Sequence, residues 1–559
     1  MLFRPRFTSA LLLLACASCG ASTSAPELRS LLLITLDTTR NDVLTDDAAG
    51  RALTPRFAAL AENGVRFSRA YTVTPLTLPA HASLLTGLVP PRHGVRDNGY
   101  AALPASATTL AELLAARGFE TAAFVSSLVL DRCFGLDQGF ASYDQPARRA
   151  RAYPNESIER AASTTAREAA NWLTRLDPRH PFFLWAHFYD AHLPYVPSSE
   201  HLARANGHPY RGEVAALDDA VGTLLDALEA CGRARETLIV LTSDHGEGLE
   251  EHGEPAHGAL LYETTTRVPL LFHFPGTAPR PGPTRLASLV DVVPTTLALL
   301  GLPAPANLDG LDLFSPGAPR ERGVYLESFS GYLNYGWSPL AGWADGRGKY
   351  LHSPEPEFYA TLTDPAETRD RAQDEPAACA QASERLAEVL TRPALPFELL
   401  ARDAELDSAL SALGYARGSD PGAALPSPLD PSDRPSPKSR SHELAPLQRA
   451  HVLFESGDTA ACLPLVEGIL RTNPNHPLAL DYYALSLMYA SRFEEAATAL
   501  LQRLTLGEKA DTRLNLGLCL LELGHPEDAL PELEAAAHLA PDQPSIQQAL
   551  QRAHTALRR

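Results

Sequence analysis

Thr77-Leu-Pro-Ala-His-Ala-Ser-Leu-Leu-Thr-Gly87 is the stretch on which the reading of this chain turns. It follows an irregular Thr72-Val-Thr-Pro75 run. Pro79 suits the first turn of a helix, where its missing N–H leaves no gap, and Gly87 suits the stop. The Thr77 hydroxyl then sits at a helix N-terminus, beside free N–H groups and the positive end of the helix dipole. A phosphate or sulfate is at home there. An ordinary N-cap threonine would leave the same trace, so the surrounding sequence has to decide.

Working outward, strands and helices alternate from about residue 31 to 275. Leu31–Leu36 is a continuous apolar run, the pattern of a buried strand. Pro55–Glu62 and Thr108–Ala116 read as helices. Thr121–Val125, Phe182–Phe188, Leu238–Leu241 and Val268–Phe274 read as strands, with a helix over about 212–230. Such alternation predicts an α/β fold with a mainly parallel sheet between helices. Ligand sites in such sheets lie beyond the carboxyl ends of the strands. Asp37, Asp190, His192, Asp244 and His245 all follow apolar runs there. Val290–Leu300 is a further expected helix. Shorter strand-like runs at Gly323–Leu326 and Lys349–His352 predict a small α+β subdomain.

The chain has 559 residues and a formal charge of −19, so several domains are expected and a nucleic-acid partner is disfavoured. Residues 1–19 combine a basic start, a short apolar core and small residues, as in an export signal. Leu13-Leu14-Ala15-Cys16 resembles a lipobox, with Cys19 in a second register. Lipid attachment at Cys16 or Cys19 would be the only membrane contact, in a bacterial cell envelope. The other five cysteines, 133, 231, 379, 462 and 519, fit neither a disulfide framework nor a zinc pattern. They read as single apolar residues. Only three lysines occur: Lys349, Lys438 and Lys509.

The expected boundaries are 29–330 for the α/β region, 331–415 for the subdomain, 416–442 for a Pro/Ser-rich linker and 443–557 for an all-α region. In the last, Gly457, Ser491 and Gly524 fall at equivalent points, 34 and 33 residues apart. That period resembles tetratricopeptide repeats, which implies a possible protein partner.

The α/β region resembles the sulfatase and alkaline phosphatase superfamily. Sulfatases carry Cys-x-Pro-Ser-Arg before Ala-Ser-Leu-Leu-Thr-Gly; here Thr77-Leu-Pro-Ala-His81 precedes Ala82-Ser-Leu-Leu-Thr-Gly87. Ser243-Asp244-His245-Gly246-Glu247-Gly248 resembles the family's paired metal ligands. The resemblance puts Asp37, Thr77, Asp244 and His245 around one divalent ion. Two carboxylates, an imidazole and a hydroxyl oxygen suit zinc or manganese, with calcium or magnesium less natural. Thr77 is then the expected nucleophile. His192 resembles the family's substrate or leaving-group histidine, and His257 stands where sulfatases place a lysine. Both are catalytic candidates. His81, one helical turn from Thr77, and Asp190 are substrate-binding candidates. So is Asn98, which equally suits a turn before Gly99. Asp190, His192 and His257 could instead bind a second ion, although one ion fits the spacing better. His252 reads as a solvated loop residue.

Sulfatases of the family use a formylglycine made from Cys or Ser. Threonine cannot become one, because its oxidation gives a ketone. No lysine lies near a motif, and the expected arginine is His81. The expectation is therefore a metal-dependent hydrolase with a threonine nucleophile, acting on phosphate mono- or diesters or transferring a phospho group. Its substrate would be a small anionic ester. Sulfate-ester hydrolysis without formylglycine is one alternative. A weakly active envelope scaffold that recruits partners through its repeats is another.

Overall fold

The computed structural model describes residues 28–558 except 46, 100, 148–158, 274–284, 320, 397–399, 401–405, 407–409, 411–424 and 542. The signal segment 1–19, Cys16 and Cys19 lie outside the described residues, as do Phe274 and residues 416–424 of the expected linker.

Eight strands form the main sheet: β1 (Ser30–Leu36), β2 (Gly64–Tyr71), β3 (Glu120–Phe124), β4 (Ser142–Asp144), β5 (Phe182–Phe188), β6 (Thr237–Ser243), β7 (Arg267–His273) and β8 (Ala287–Ser288). Their order is β4-β3-β5-β1-β6-β7-β2-β8, and only β7 runs antiparallel to its neighbours. The apolar run of β1 divides by the two-residue period of a strand. Leu31 and Leu33 join one core, with Phe183, Trp185, Val240 and the Thr77–Thr86 helix. Leu32 and Ile34 join the other, against the Ala162–Arg175 and Pro209–Ala230 helices. Burying each such side chain contributes about 1.5–3 kcal/mol, so helices on both faces are what a run without polar alternation requires.

Strands β9 (Val324–Ser328), β10 (Leu340–Ala344), β11 (Lys349–His352) and β12 (Glu357–Tyr359) make an antiparallel sheet in the order β12-β11-β10-β9. The helix Pro376–Leu390 covers it through Ala378, Ala382, Leu386 and Val389. Lys349, fully buried, ties this sheet to the main body. Its Nζ lies 2.8 Å from Glu367 Oε1 and 3.2 Å from Glu263 Oε1. Lys349→Met would leave the buried Glu367 without a counter-charge and Glu263 with only Arg267, 3.6 Å away. A loss of about 3–5 kcal/mol in urea unfolding is expected; a change below about 1 kcal/mol would contradict this role.

Seven helices follow, from Leu444–Glu455 to Pro544–Leu557, each packed against the next. Gly457, Ser491 and Gly524 all close helices with positive φ, at 84°, 58° and 81°. The residue after each donates its N–H back to the same helix, to Leu453, Leu487 and Leu520. The three equivalent sequence positions are thus three equivalent turns.

The described part of the expected linker is not free. Ser338 N–H donates to the Pro435 carbonyl at 2.9 Å, the Arg434 guanidinium lies 3.8 Å from the Tyr332 ring centroid, and Lys438 pairs with Asp370. Such residues bury little apolar surface, but their polar groups bind the subdomain one by one. Glu443 completes the seam. Buried, its Oε2 accepts from Trp337 Nε1 and Asn473 Nδ2, each at 3.1 Å.

Cys462 and Cys519 are buried and Cys133, Cys231 and Cys379 half-buried, and all five are free thiols. Among the described residues no helix is long and apolar enough to cross a membrane.

Candidate active site

Sheet order builds the site. β1 lies between β5 and β6, with Leu36 paired to Phe188 on one side and Ser243 on the other. One step further, Asp37 and Asp244 leave neighbouring strand ends together. The turn after β1 is tied down: Asp37 N–H donates to Phe188 O at 2.8 Å, and Thr39 N–H to Ser243 Oγ at 3.0 Å. Thr38 between them holds φ at 51°, unusual for a β-branched residue. Its N–H points at Asp244 Oδ1, 3.3 Å away. Strained backbone of this kind tends to gather at functional sites.

Asp37, Asp244 and His245 are fully buried, and their ligand atoms lie within 4.8 Å of one another. Both Asp37 oxygens and Asp244 Oδ2 have no hydrogen-bond partner. Burial pushes both carboxyls up to about 7, and Asp37 adds to the shift of Asp244. His245 Nδ1 lies 3.0 Å from the Gly246 carbonyl, which can only accept, so that nitrogen carries the proton. The bare Nε2 therefore faces Asp244 Oδ2 at 3.5 Å, Asp37 Oδ1 at 3.8 Å and Thr77 Oγ1 at 3.3 Å. A lone pair turned toward two unpartnered carboxylates is unfavourable unless a cation lies between them. The site fits a divalent ion for that reason. Arg40 and Arg96, close in sequence to these motifs, are committed to Asp42 with Glu251 and to Glu327.

Thr77 is the first residue of its helix, and the N-cap residue, Leu76, makes no side-chain cap bond. The Thr77 hydroxyl is therefore not a cap and turns to His245 instead. The free N–H groups expected at this helix end are fewer than the sequence suggests. Pro79 has none, and Leu78 N–H donates to Asn98 Oδ1 at 2.9 Å. Asn98 Nδ2 remains a buried donor without a partner.

The other candidates separate. His81 is fully buried, its Nδ1 2.7 Å from the Thr77 carbonyl and its Nε2 3.1 Å from Thr35 Oγ1. Both nitrogens are thus engaged within the protein rather than turned outward to an anion. Asp190 accepts from Ala162 N–H at 2.5 Å, where it fixes the start of a helix. His192 and His257 stand beside the ion site. The His257 ring is 4.3 Å from that of His245 and 5.0 Å from that of His192. His252 stacks on Tyr262 at 3.8 Å and is half-buried, not solvated.

Two residues had no expected role. Glu247, fully buried, accepts from His257 Nδ1 at 2.9 Å and from the Tyr195 hydroxyl at 2.8 Å. Burial pushes Glu247 up to about 7 and His257 down to about 4. His187, on β5, places Nε2 3.4 Å from Asp37 Oδ2. Glu247 had a trace in the sequence, as the acid of Asp244-His245-Gly246-Glu247. His187 had only its place next to the last residue of β5.

Comparison with known proteins agrees with this architecture. Residues 29–302 match the sulfatase family. Human arylsulfatase A is 30% identical over 317 residues, 46% of this chain and 62% of that protein. The chain thus spans less than two thirds of that relative's length. A Δ4,5-hexuronate-2-O-sulfatase of Bacteroides thetaiotaomicron is 25% identical over 481 residues, covering 73% of this chain and 98% of the relative. The crystal structure of a phosphonate monoester hydrolase of Agrobacterium radiobacter superposes with a TM-score of 0.53 at 22% identity, over 65% of this chain and 95% of that one. The fold is that of sulfatases and alkaline phosphatases, a mainly parallel sheet with a small antiparallel sheet and an all-helical C-terminal region. Over residues 29–302, just under half of its length, the chain is thus similar to the sulfatase family of hydrolases.

Proposed function

We propose that this protein hydrolyses phosphate mono- or diesters, or transfers their phospho group, with Thr77 as nucleophile. The carrying observation is the 3.3 Å approach of an unmodified threonine Oγ1 to His245 Nε2, beside two unpartnered carboxylates. Asp37, Thr77, Asp244 and His245 would hold one divalent ion, zinc or manganese by donor type. Such an ion supplies Lewis-acid polarisation and lowers the pKa of a neighbouring hydroxyl. Asn98 Nδ2 would donate to an oxygen of the substrate.

Thr77 Oγ1 bonds to phosphorus as the ester oxygen leaves, giving a phosphothreonine. The proton that Thr77 loses passes to the neutral imidazole of His257 or His192, which hands it to the leaving oxygen. Water then attacks the same phosphorus and gives a proton to that imidazole, which returns it to the departing Thr77 oxygen. Glu247 and Tyr195 keep the His257 ring aimed. Glu247→Gln is expected to lower kcat by about 10–100-fold with little change in KM, measured by steady-state kinetics. A kcat within twofold of wild type would remove Glu247 from this role.

Sulfate-ester hydrolysis by the same threonine is the second reading, and the named sulfatase relatives favour it. The purified chain without residues 1–19, given Mn²⁺ or Zn²⁺, should cleave nitrophenyl phosphate or bis-nitrophenyl phosphate faster than nitrophenyl sulfate. Turnover of the sulfate alone would defeat the first reading and support the second.

The helical region would act as tetratricopeptide repeats holding a protein partner, supported by the three matching turns. The mature chain would be anchored in the bacterial envelope by lipid on Cys16 or Cys19.

A further inference from the structure

Two histidines lie beneath the ion site, and the question is whether they bind a cation themselves. His81, His187 and Asp244 bring ligand atoms within 4.8 Å of one another, enough for a second ion. Their hydrogen bonds speak against it. Ser126 N–H, which can only donate, points at His187 Nδ1, 3.4 Å away. That nitrogen is therefore the acceptor, and the proton of the neutral ring is on Nε2, the atom facing Asp37 Oδ2 at 3.4 Å. His81 is fixed in the opposite sense. The Thr77 carbonyl can only accept, so Nδ1 carries the proton, and the same N–H lies 3.7 Å from Asp244 Oδ2. Its Nε2 faces the Thr35 hydroxyl, which in turn receives Trp185 Nε1–H at 3.0 Å. The two rings meet edge to face, 5.0 Å apart.

We infer that His187 and His81 are positioning residues, locked in opposite neutral tautomers, that orient the Asp37 and Asp244 carboxylates toward a single ion and are not ligands of a second. At these distances neither N–H makes a hydrogen bond to its carboxylate; donors that close on ligating carboxylates fix their direction, and loss of such a donor typically lowers metal affinity by about 10–100-fold. This inference rests on the proposed ion site.

Mn²⁺ titration of the chelator-stripped full chain, by calorimetry, tests it. Wild type should bind one ion per chain. His187→Ala should bind one ion about 10–100-fold more weakly, and His187→Gln, which can still donate to Asp37, should stay within about threefold of wild type. Two ions in wild type falling to one in His187→Ala would overturn the inference, because His187 would then be a ligand. So would an unchanged affinity in His187→Ala. If wild type binds no ion at all, the proposed ion site fails instead. Should His187→Ala not fold, long-range ¹H–¹⁵N spectra of histidine-labelled wild type decide: protonated Nε2 on His187 and protonated Nδ1 on His81 are expected, and the reverse assignment refutes the clamp.

Discussion

Thr77→Ala is expected to lower kcat/KM toward the preferred nitrophenyl ester by about 10⁴–10⁶-fold, the scale on which loss of a covalent nucleophile is felt. Thr77→Ser keeps the hydroxyl and loses only the methyl, so it should retain activity within about 10–100-fold of wild type. Acid-quenched wild type should carry a phosphoryl adduct on Thr77 that the alanine variant lacks. Mn²⁺ binding should persist in the alanine variant, because Asp37, Asp244 and His245 remain, which separates a lost nucleophile from a lost ion. An alanine variant within tenfold of wild type would move the chemistry to another residue.

Asp37→Asn is expected to change stability in opposite directions with and without the ion. In the stripped protein Asp37 is fully buried, lacks a partner on either oxygen and faces Asp244. Its carboxyl stands at about 7 in the fold, above the ordinary 3.8. A raised acid is stabilised when protonated, so stripped wild type should lose stability as pH rises from about 4 to about 7 and level off above. Asparagine removes that penalty and should raise unfolding stability at pH 7.5 by about 1–3 kcal/mol. With millimolar Mn²⁺ the order reverses, because wild type gains binding energy that the variant, one charged donor short, does not. Thermal melts with and without Mn²⁺ check this. A variant less stable in both states would mean that Asp37 is held by contacts other than an ion.

The parts legible in the sequence were those encoded within a few residues. Leu31–Leu36 lacks polar alternation, so it had to lie between two layers. Pro79 and Gly87 bracketed the Thr77 helix, and Asp244-His245 stood at a strand end. The parts that stayed hidden depend on register between distant segments. Asn98 reaches Leu78 N–H from a loop twenty residues on, as the bond itself records. His187 meets Asp37 only because β5 pairs with β1 at that offset. Tyr195 joins Glu247 across a separation of 52 residues. The linker misled for a related reason. Composition shows that residues 416–442 have little to bury, yet Arg434, Pro435 and Lys438 each find a partner that no local pattern announces.

The buried Glu443 seam fixes more than stability. A partner gripped by a stack on a slack tether would sample every distance to the catalytic mouth, and longer tethers would merely dilute it. With Glu443 bonded to Trp337 and Asn473, a partner held there would have a narrower range of bearing and distance. The stack would then act as a ruler: an ester carried at the matching offset on a bound partner reaches Thr77, and one a few residues out of step does not.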